Sequence, residues 1–255
     1  MGVRRAIKTA LSLAGVNYRS WGNYRHLPRY LRHRSEWLTQ GGVISKSAMV
    51  LGNYTSTAGK ASGHYFHQDL LVASFVNERK PERHIDVGSR IDGFVAHVAS
   101  FREIEVFDFQ PLPLKAHPNI VFTQADLMND AGTEITDSLS CLHALEHFGL
   151  GRYNDPIDVN GHIKGVANLV RMVKPGGVFY LGVPISDRDE VRFNSERAFH
   201  PESVVNFEPI KSHMTLQRFD YVDDADGGLV VNADIKSTVA KRIKGCGIYT
   251  FIKTA

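Results

Sequence analysis

Cysteine is nearly missing from this chain: Cys141 and Cys246 are the only two in 255 residues, far apart and in different segments. Neither a disulfide framework nor a cysteine-rich metal site is expected, and a reducing, cytoplasmic compartment fits best. No apolar run approaches the roughly eighteen residues that a membrane span requires. The short stretch Ala10-Leu11-Ser12-Leu13-Ala14-Gly15-Val16 has no signal-cleavage region after it, so secretion is not expected. Internal repeats, heptads and low-complexity tracts are lacking as well, and nothing suggests a repeat or fibrous architecture.

Acidic residues are absent from the first 35 positions, where Arg4, Arg5, Lys8, Arg19, Arg25, Arg29, Arg32 and Arg34 stand before Glu36. The net charge of +3 therefore divides into +8 on this segment and −5 on the remainder. An appended basic arm of this kind suits an anionic membrane surface, an acidic partner or a phosphorylated substrate, with nucleic acid a weaker reading. It equally suits a solvated surface whose Trp21, Tyr24, Tyr30 and Trp37 pack on the main domain. Residues 1–62 read as this arm or cap, in short helices and turns punctuated by Gly22, Pro28, Gly41-Gly42 and Gly52.

What is present is a core: 43% of the residues are hydrophobic. Residues 63–255 read as one α/β domain, beginning with a helix over His64 to Val76. From Arg83 onward, strand-like runs alternate with helical patterns, as in a parallel sheet covered on both faces. Five runs are readable at His84 to Val87, Ile104 to Phe109, Ile120 to Gln124, Ser138 to Leu142 and Gly177 to Val183. Helices are predicted at Phe94 to Phe101 and near His162 to Val173, the second stopped by Lys174-Pro175-Gly176-Gly177. Met214 to Val222 and Gly247 to Lys253 read as two closing strands, which completes a doubly wound, mostly parallel, seven-stranded sheet.

The stretch His84-Ile85-Asp86-Val87-Gly88-Ser89-Arg90-Ile91-Asp92-Gly93-Phe94 runs a strand into a glycine turn and opens a helix. Glycine lets the backbone approach a ligand, and the helix start supplies N–H groups. Arg90 stands where the dinucleotide fingerprint has its middle glycine, so pyrophosphate fits poorly. Asp86, before the first glycine, repels phosphate and suits a cationic cofactor without phosphates. Asp108 closes the next strand twenty positions beyond Gly88, where a carboxylate reads ribose hydroxyls. A tight turn that binds nothing is the alternative.

Taken in order, Asp86-Val87-Gly88 with Gly93, then Asp108, Ala125-Asp126-Leu127, Leu142-His143-Ala144-Leu145-Glu146-His147 and Lys174-Pro175-Gly176-Gly177 resemble a class I S-adenosylmethionine-dependent methyltransferase over roughly residues 64–255. The resemblance implies a Rossmann-like fold, S-adenosylmethionine as cofactor, ribose held by Asp108 and the adenine amino group facing Asp126. His64 to Asp69, Gly88 to Gly93 and Phe101-Arg102-Glu103 are similar to an uncharacterised methyltransferase-like family, a domain of unknown function met beside bacterial surface-polysaccharide genes. That implies a sugar or glycan-precursor acceptor, phosphorylated or lipid-linked, with a peripheral membrane contact through the basic arm. Arg90 is a candidate partner for the cofactor's carboxylate.

A hydroxyl acceptor must lose its proton, and candidates stand where parallel sheets place ligands: His143, Glu146 and His147 after the fourth strand, with His200 reaching from the loop after the fifth. Together with Asp86, Gly88, Arg90, Gly93, Asp108 and Asp126, His143 is also a candidate cofactor contact. His143-x-x-Glu146-His147 spells the inverted zinc-protease motif, but it follows a strand rather than sitting in a long helix, and no metal is assigned. A divalent cation assisting methyl transfer is the milder version. Arg188, Arg192, Asn194 and Arg197 are candidates for a lid contacting acceptor phosphate. Competing readings are a silent methyltransferase-like binding module and a nicotinamide-dependent oxidoreductase, the latter disfavoured by Arg90.

Overall fold

A computed structural model describes residues 18–113, 117–129 and 132–254, with side chains from Gly22 onward. Arg4, Arg5 and Lys8 of the expected arm lie outside the described residues. The chain divides into two compact units at 60/61, two positions before the expected boundary.

In the first unit, a 3₁₀ segment over Tyr18–His26 leads into helix α1 (Leu27–Thr39), whose start carries Pro28, where a missing N–H costs nothing. A second 3₁₀ turn follows at Gly52–Thr55. Tyr54 organises this unit: Arg29 sits 4.6 Å over its ring, and its hydroxyl lies 3.3 Å from His33 Nδ1.

The second unit is a twisted sheet between two helical layers. Its elements are α2 (His64–Arg79), β1 (His84–Val87), α3 (Ala96–Ala99), β2 (Ile104–Asp108), β3 (Ile120–Gln124), β4 (Thr136–Leu142), α4 (Gly161–Met172) and β5 (Val173–Ile185). There follow β6 (Glu190–Arg192), β7 (Glu196–Ala198), α5 (Pro201–Val205), α6 (Glu208–His213), β8 (Met214–Asp223), β9 (Leu229–Val230), α7 (Ile235–Ala240) and β10 (Gly245–Lys253). The strand order is β3-β2-β1-β4-β5-β10-β8-β9, parallel from β3 to β5 and antiparallel beyond. The sheet has eight strands rather than seven, because the loop after β8 folds Leu229–Val230 back onto Tyr221 and Val222.

Alternation along the strands feeds two cores. Ile85, Leu139, Phe179, Leu181, Tyr249 and Phe251 meet Val166, Leu169 and Val170 of α4 on one face. Val106, Val178, Tyr180, Cys246 and Ile248 meet Val72 and Val76 of α2 on the other, with Phe94 and Val98. A central strand with both faces covered must be apolar on both, which is why β5 reads as an unbroken hydrophobic run.

Two local expectations shift. The helix α4 ends at Met172, and Val173 is already extended, so Lys174-Pro175-Gly176-Gly177 does not stop it but forms an irregular start to β5, skipping register between Thr136↔Val173 and Ser138↔Val178. Proline biases Lys174 away from helix, and Gly176, at φ +75°, takes the left-handed conformation there. The helix predicted from Phe94 begins at Ala96, because Ile91–Val95 forms a wide turn in which Gly93 leaves the helical region.

Candidate functional site

All four parallel strands from β3 to β4 end on the same edge, and the loops after them enclose a cleft of about 260 Å³. Val87 to Ile91 come from the loop after β1, Phe107 to Gln110 from β2, Ala125 to Met128 from β3, and His143, Ala144, His147 and Phe148 from β4. Tyr153 and Asp155 close one side. Gly88 turns the chain at φ +69°, and a Cβ there would stand 2.7 Å from that of Ala144, so the β1 and β4 loops pack together only around a glycine.

The cleft brings Gly88, Arg90, Asp108, Asp126, His143 and His147 together. Asp108 accepts from Gln110 N–H through Oδ1 (2.7 Å), and Oδ2 has no partner among the described residues. Burial pushes its pKa above the ordinary carboxylate value. Asp126 accepts from Met128 N–H at 2.9 Å and from Asn129 Nδ2 at 2.8 Å, so it also shapes its own turn. Arg90 forks onto Asp92 and lies over the ring of Tyr65, 5.2 Å from its centroid.

Asp86, Gly93, Glu146 and His200 do not line the cleft. Strand alternation turns Asp86 with His84 to the opposite face from Ile85 and Val87, where it is fully buried. It accepts from Ser89 N–H (3.0 Å), Ser89 Oγ (2.7 Å) and Ser140 Oγ (2.5 Å), and burial raises its pKa to about 7. Ser140 Oγ is also 3.2 Å from His84 Nε2, and burial lowers that histidine to about 3. Asp86 thus holds the glycine turn from beneath rather than meeting a ligand. Gly93 lies against Asp69, whose Oδ2 would be 2.5 Å from an added Cβ, so that glycine makes room for a buried carboxylate. His200 precedes α5 and donates its backbone N–H to Asp189 Oδ1 at 2.6 Å. Glu146, 1% exposed, lies behind the histidines, with its Oε1 2.9 Å from His143 Nδ1.

The two histidines after β4 differ. His147 donates through Nδ1 to Ser195 O at 2.8 Å, which leaves the lone pair on Nε2. Burial lowers its pKa, so it is neutral near pH 7. His143 is held in the left-handed region at φ +54°, uncommon for a residue with a side chain. Burial opposes its protonation, but Cys246 and Glu146 outweigh burial and raise its pKa. It stacks on His64 at 5.3 Å with the rings 4° from parallel.

The expected arginine lid takes another form. Arg192 is paired with Glu190 and Glu196 across the β6–β7 hairpin, and Arg188 with Glu190. Arg197 is 4% exposed and donates to the carbonyls of Glu146 (3.3 Å) and Phe148 (2.7 Å), fixing the β4 loop. Internal carboxylates and carbonyls occupy the forks that were expected to meet phosphate. Gln110, Phe148, Tyr153 and Asp155 were missed in the sequence because no motif marks them; the Asp155 side chain accepts from the N–H groups of Gly149, Gly151 and Tyr153 and so builds the loop that closes the cleft.

Residues 125–249 match a family described as Caenorhabditis protein of unknown function, DUF268. No protein of curated function matches. Among solved structures, N-methyltransferase NodS from Bradyrhizobium japonicum WM9 aligns at TM-score 0.50 and 16% identity, covering 74% of this chain and 94% of that one. The [4+2]-cyclase SpnF aligns at 0.51 and 13% identity, covering 78% and 86%. The fold is the Rossmann-like methyltransferase fold. NodS in complex with S-adenosyl-l-homocysteine is also similar, at 0.49 and 13% identity, covering 76% and 89%. That a methyltransferase and a cyclase share the fold shows that chemistry must be argued from the cleft.

Proposed function

We propose that this protein is an S-adenosylmethionine-dependent methyltransferase acting on an oxygen of a sugar or glycan precursor. The observation that carries the reading is one cleft holding both an open carboxylate oxygen, Asp108 Oδ2 at the end of β2, and a neutral imidazole with its lone pair on Nε2, His147 after β4. The first suits ribose hydroxyls and the second suits removal of an acceptor proton. When bound, the cofactor supplies an activated sulfonium methyl.

The residues present fit such a group. Asp108 would hold the ribose, Asp126 the adenine edge, and the Gly88 turn would let the backbone approach. Arg90, half-exposed at the rim, would meet the cofactor's carboxylate in exchange for Asp92. A cleft of about 260 Å³ lies near the lower end of small-molecule pockets, roughly 300 Å³, and Arg90 in place of the middle glycine of the dinucleotide fingerprint weighs against the nicotinamide reading. His147 Nε2 takes the acceptor hydroxyl's proton, and Ser195 O keeps the ring in the tautomer that can do so. The sugar or glycan acceptor rests on the sequence resemblance. As part of the same proposal, the basic arm contacts an anionic membrane; no helix among the described residues is long and apolar enough to cross one.

Calorimetric titration with S-adenosylmethionine, followed by mass spectrometry of sugar precursors incubated with labelled methyl donor, tests the reading. Saturable binding and a labelled product support it. Binding without transfer to any acceptor identifies a silent module, and no binding removes the proposal.

A further inference from the structure

Beside the cleft, three side chains from distant parts of the second unit converge: His64 at the start of α2, His143 after β4 and Cys246 at the start of β10. One donor atom from each lies within 4.8 Å of the other two. The antiparallel sense of β10 makes this meeting possible, because it pairs Cys246 with Pro184 at the carboxyl edge where β4 also ends.

The surroundings of each side chain point the same way. A ring nitrogen of His64, Nε2, faces Asp224 Oδ1 at 2.7 Å, and His143 Nδ1 faces Glu146 Oε1 at 2.9 Å. A carboxylate can only accept, so those nitrogens keep their protons, and the opposite nitrogen of each ring is the one at which a metal can take the place of a proton. In His143 that atom is Nε2, buried in a side chain only 6% exposed, where no hydrogen bond reaches full geometry and the Cys246 side chain is the polar group beside the ring. A buried polar atom without a full hydrogen bond is costly unless a ligand engages it. Cys246 is fully buried and donates its thiol proton to Gln68 Oε1 at 3.2 Å.

We propose that His64, His143 and Cys246 form a zinc site with three protein ligands and an open fourth position. Two imidazoles and a thiolate are the donor set that zinc favours over hard cations such as magnesium. Metal–ligand bonds of about 2.0–2.3 Å at tetrahedral angles set donors roughly 3.3–3.8 Å apart, so a small closing movement of the side chains completes the geometry. Asp224 and Glu146 supply the outer carboxylates that orient metal-bound histidines and raise their basicity. Three protein ligands with a fourth position left for an oxygen is the arrangement of catalytic rather than closed structural zinc. His143 also lines the cleft, so an acceptor hydroxyl on the metal would lose its proton more readily there; this last clause rests on the proposed methyl transfer, whereas the site itself does not. His147 stands outside the set because, among the described residues, the donor atoms that lie within 4.8 Å of one another are those of His64, His143 and Cys246, while its own Nε2 lies 3.7 Å from Glu146 Oε1. The zinc-protease spelling therefore marks one ligand, not two.

The test uses the full chain purified with zinc and then dialysed against metal-free buffer. Stoichiometric zinc by mass spectrometry is expected, and cobalt substitution should give visible d–d bands with a near-ultraviolet thiolate charge-transfer band. Cys246→Ser should lose that band, and Asp224→Ala, at an exposed carboxylate that leaves the core intact, should weaken zinc affinity about 10–100-fold. No retained zinc in the native chain, or unchanged affinity and spectrum in both variants, overturns the site. Titration of the same samples with S-adenosylmethionine reads the cofactor proposal separately, so the failure of one is distinguishable from the failure of the other.

Discussion

At the scale of single residues, the cleft separates groups that touch a ligand from groups that hold those groups in place. Among the described residues Asp108 keeps one oxygen free, and its replacement removes an acceptor from the ribose position. Asp108→Ala should weaken S-adenosylmethionine binding by about 10–100-fold, since a hydrogen bond to a charged group contributes about 1.5–3 kcal/mol. Calorimetry checks this, with the thermal midpoint as the control for folding. His147→Gln keeps a polar side chain but removes the base, and should lower kcat by about 10²–10⁴-fold with cofactor affinity unchanged. Asp86 belongs to the second group, despite its place in the motif. It braces the turn through Ser89 and Ser140, and its carboxyl has no access to the cleft.

At the scale of elements, parallel strands and the loops after them do the positioning. The β1 turn approaches the β4 loop only because Gly88 lacks a Cβ and tolerates positive φ. Gly88→Val should therefore separate the two loops and abolish measurable cofactor binding, while far-ultraviolet circular dichroism stays native in shape. The helix α4 contributes through burial. Leu169 is fully buried between this helix and the sheet, and Leu169→Ala should cost about 2–5 kcal/mol in denaturant unfolding, through lost transfer energy and the cavity left behind. The β6–β7 hairpin acts through Arg197, whose guanidinium reaches under the β4 loop; its charge is spent inside the protein rather than on a substrate phosphate.

At the scale of the whole molecule, the polar chain His84–Ser140–Asp86 buried under the sheet's edge links folding to pH. Asp86 rises from 3.8 to about 7, so the folded state keeps a proton that the unfolded chain loses; its stabilising contribution is complete below pH 4 and lost as pH rises to about 7. His84 falls from 6.5 to about 3, so its contribution is complete above pH 6.5 and lost as pH drops toward 3. Between about pH 4 and 6.5 the two slopes oppose and nearly cancel. In Asp86→Asn only the histidine slope remains. The advantage of the native protein over this variant should then shrink by up to about 1.4 kcal/mol per pH unit between pH 4 and 7, read by denaturant titration across that range. A constant difference would show that Asp86 is ionised throughout.

Local patterns in the sequence determined the doubly wound fold, because apolar strands and amphipathic helices alternate at distinct periods that neighbours alone enforce. They also marked Gly88, Asp108, His143 and His147 as neighbours at one edge, since in a parallel sheet every loop after a strand lands there, and the methyltransferase resemblance added Asp126. Tertiary structure decided what periodicity does not encode. It turned Asp86 away from the cleft by strand alternation, placed Glu146 behind the histidines, used the arginines of the expected lid internally, and added β9 to the sheet. Above all it set His64, His143 and Cys246 side by side. Separations of that length along a chain carry no spacing signal, and only the reversed course of β10, fixed by the packing of the whole sheet, brings the thiol to the two rings.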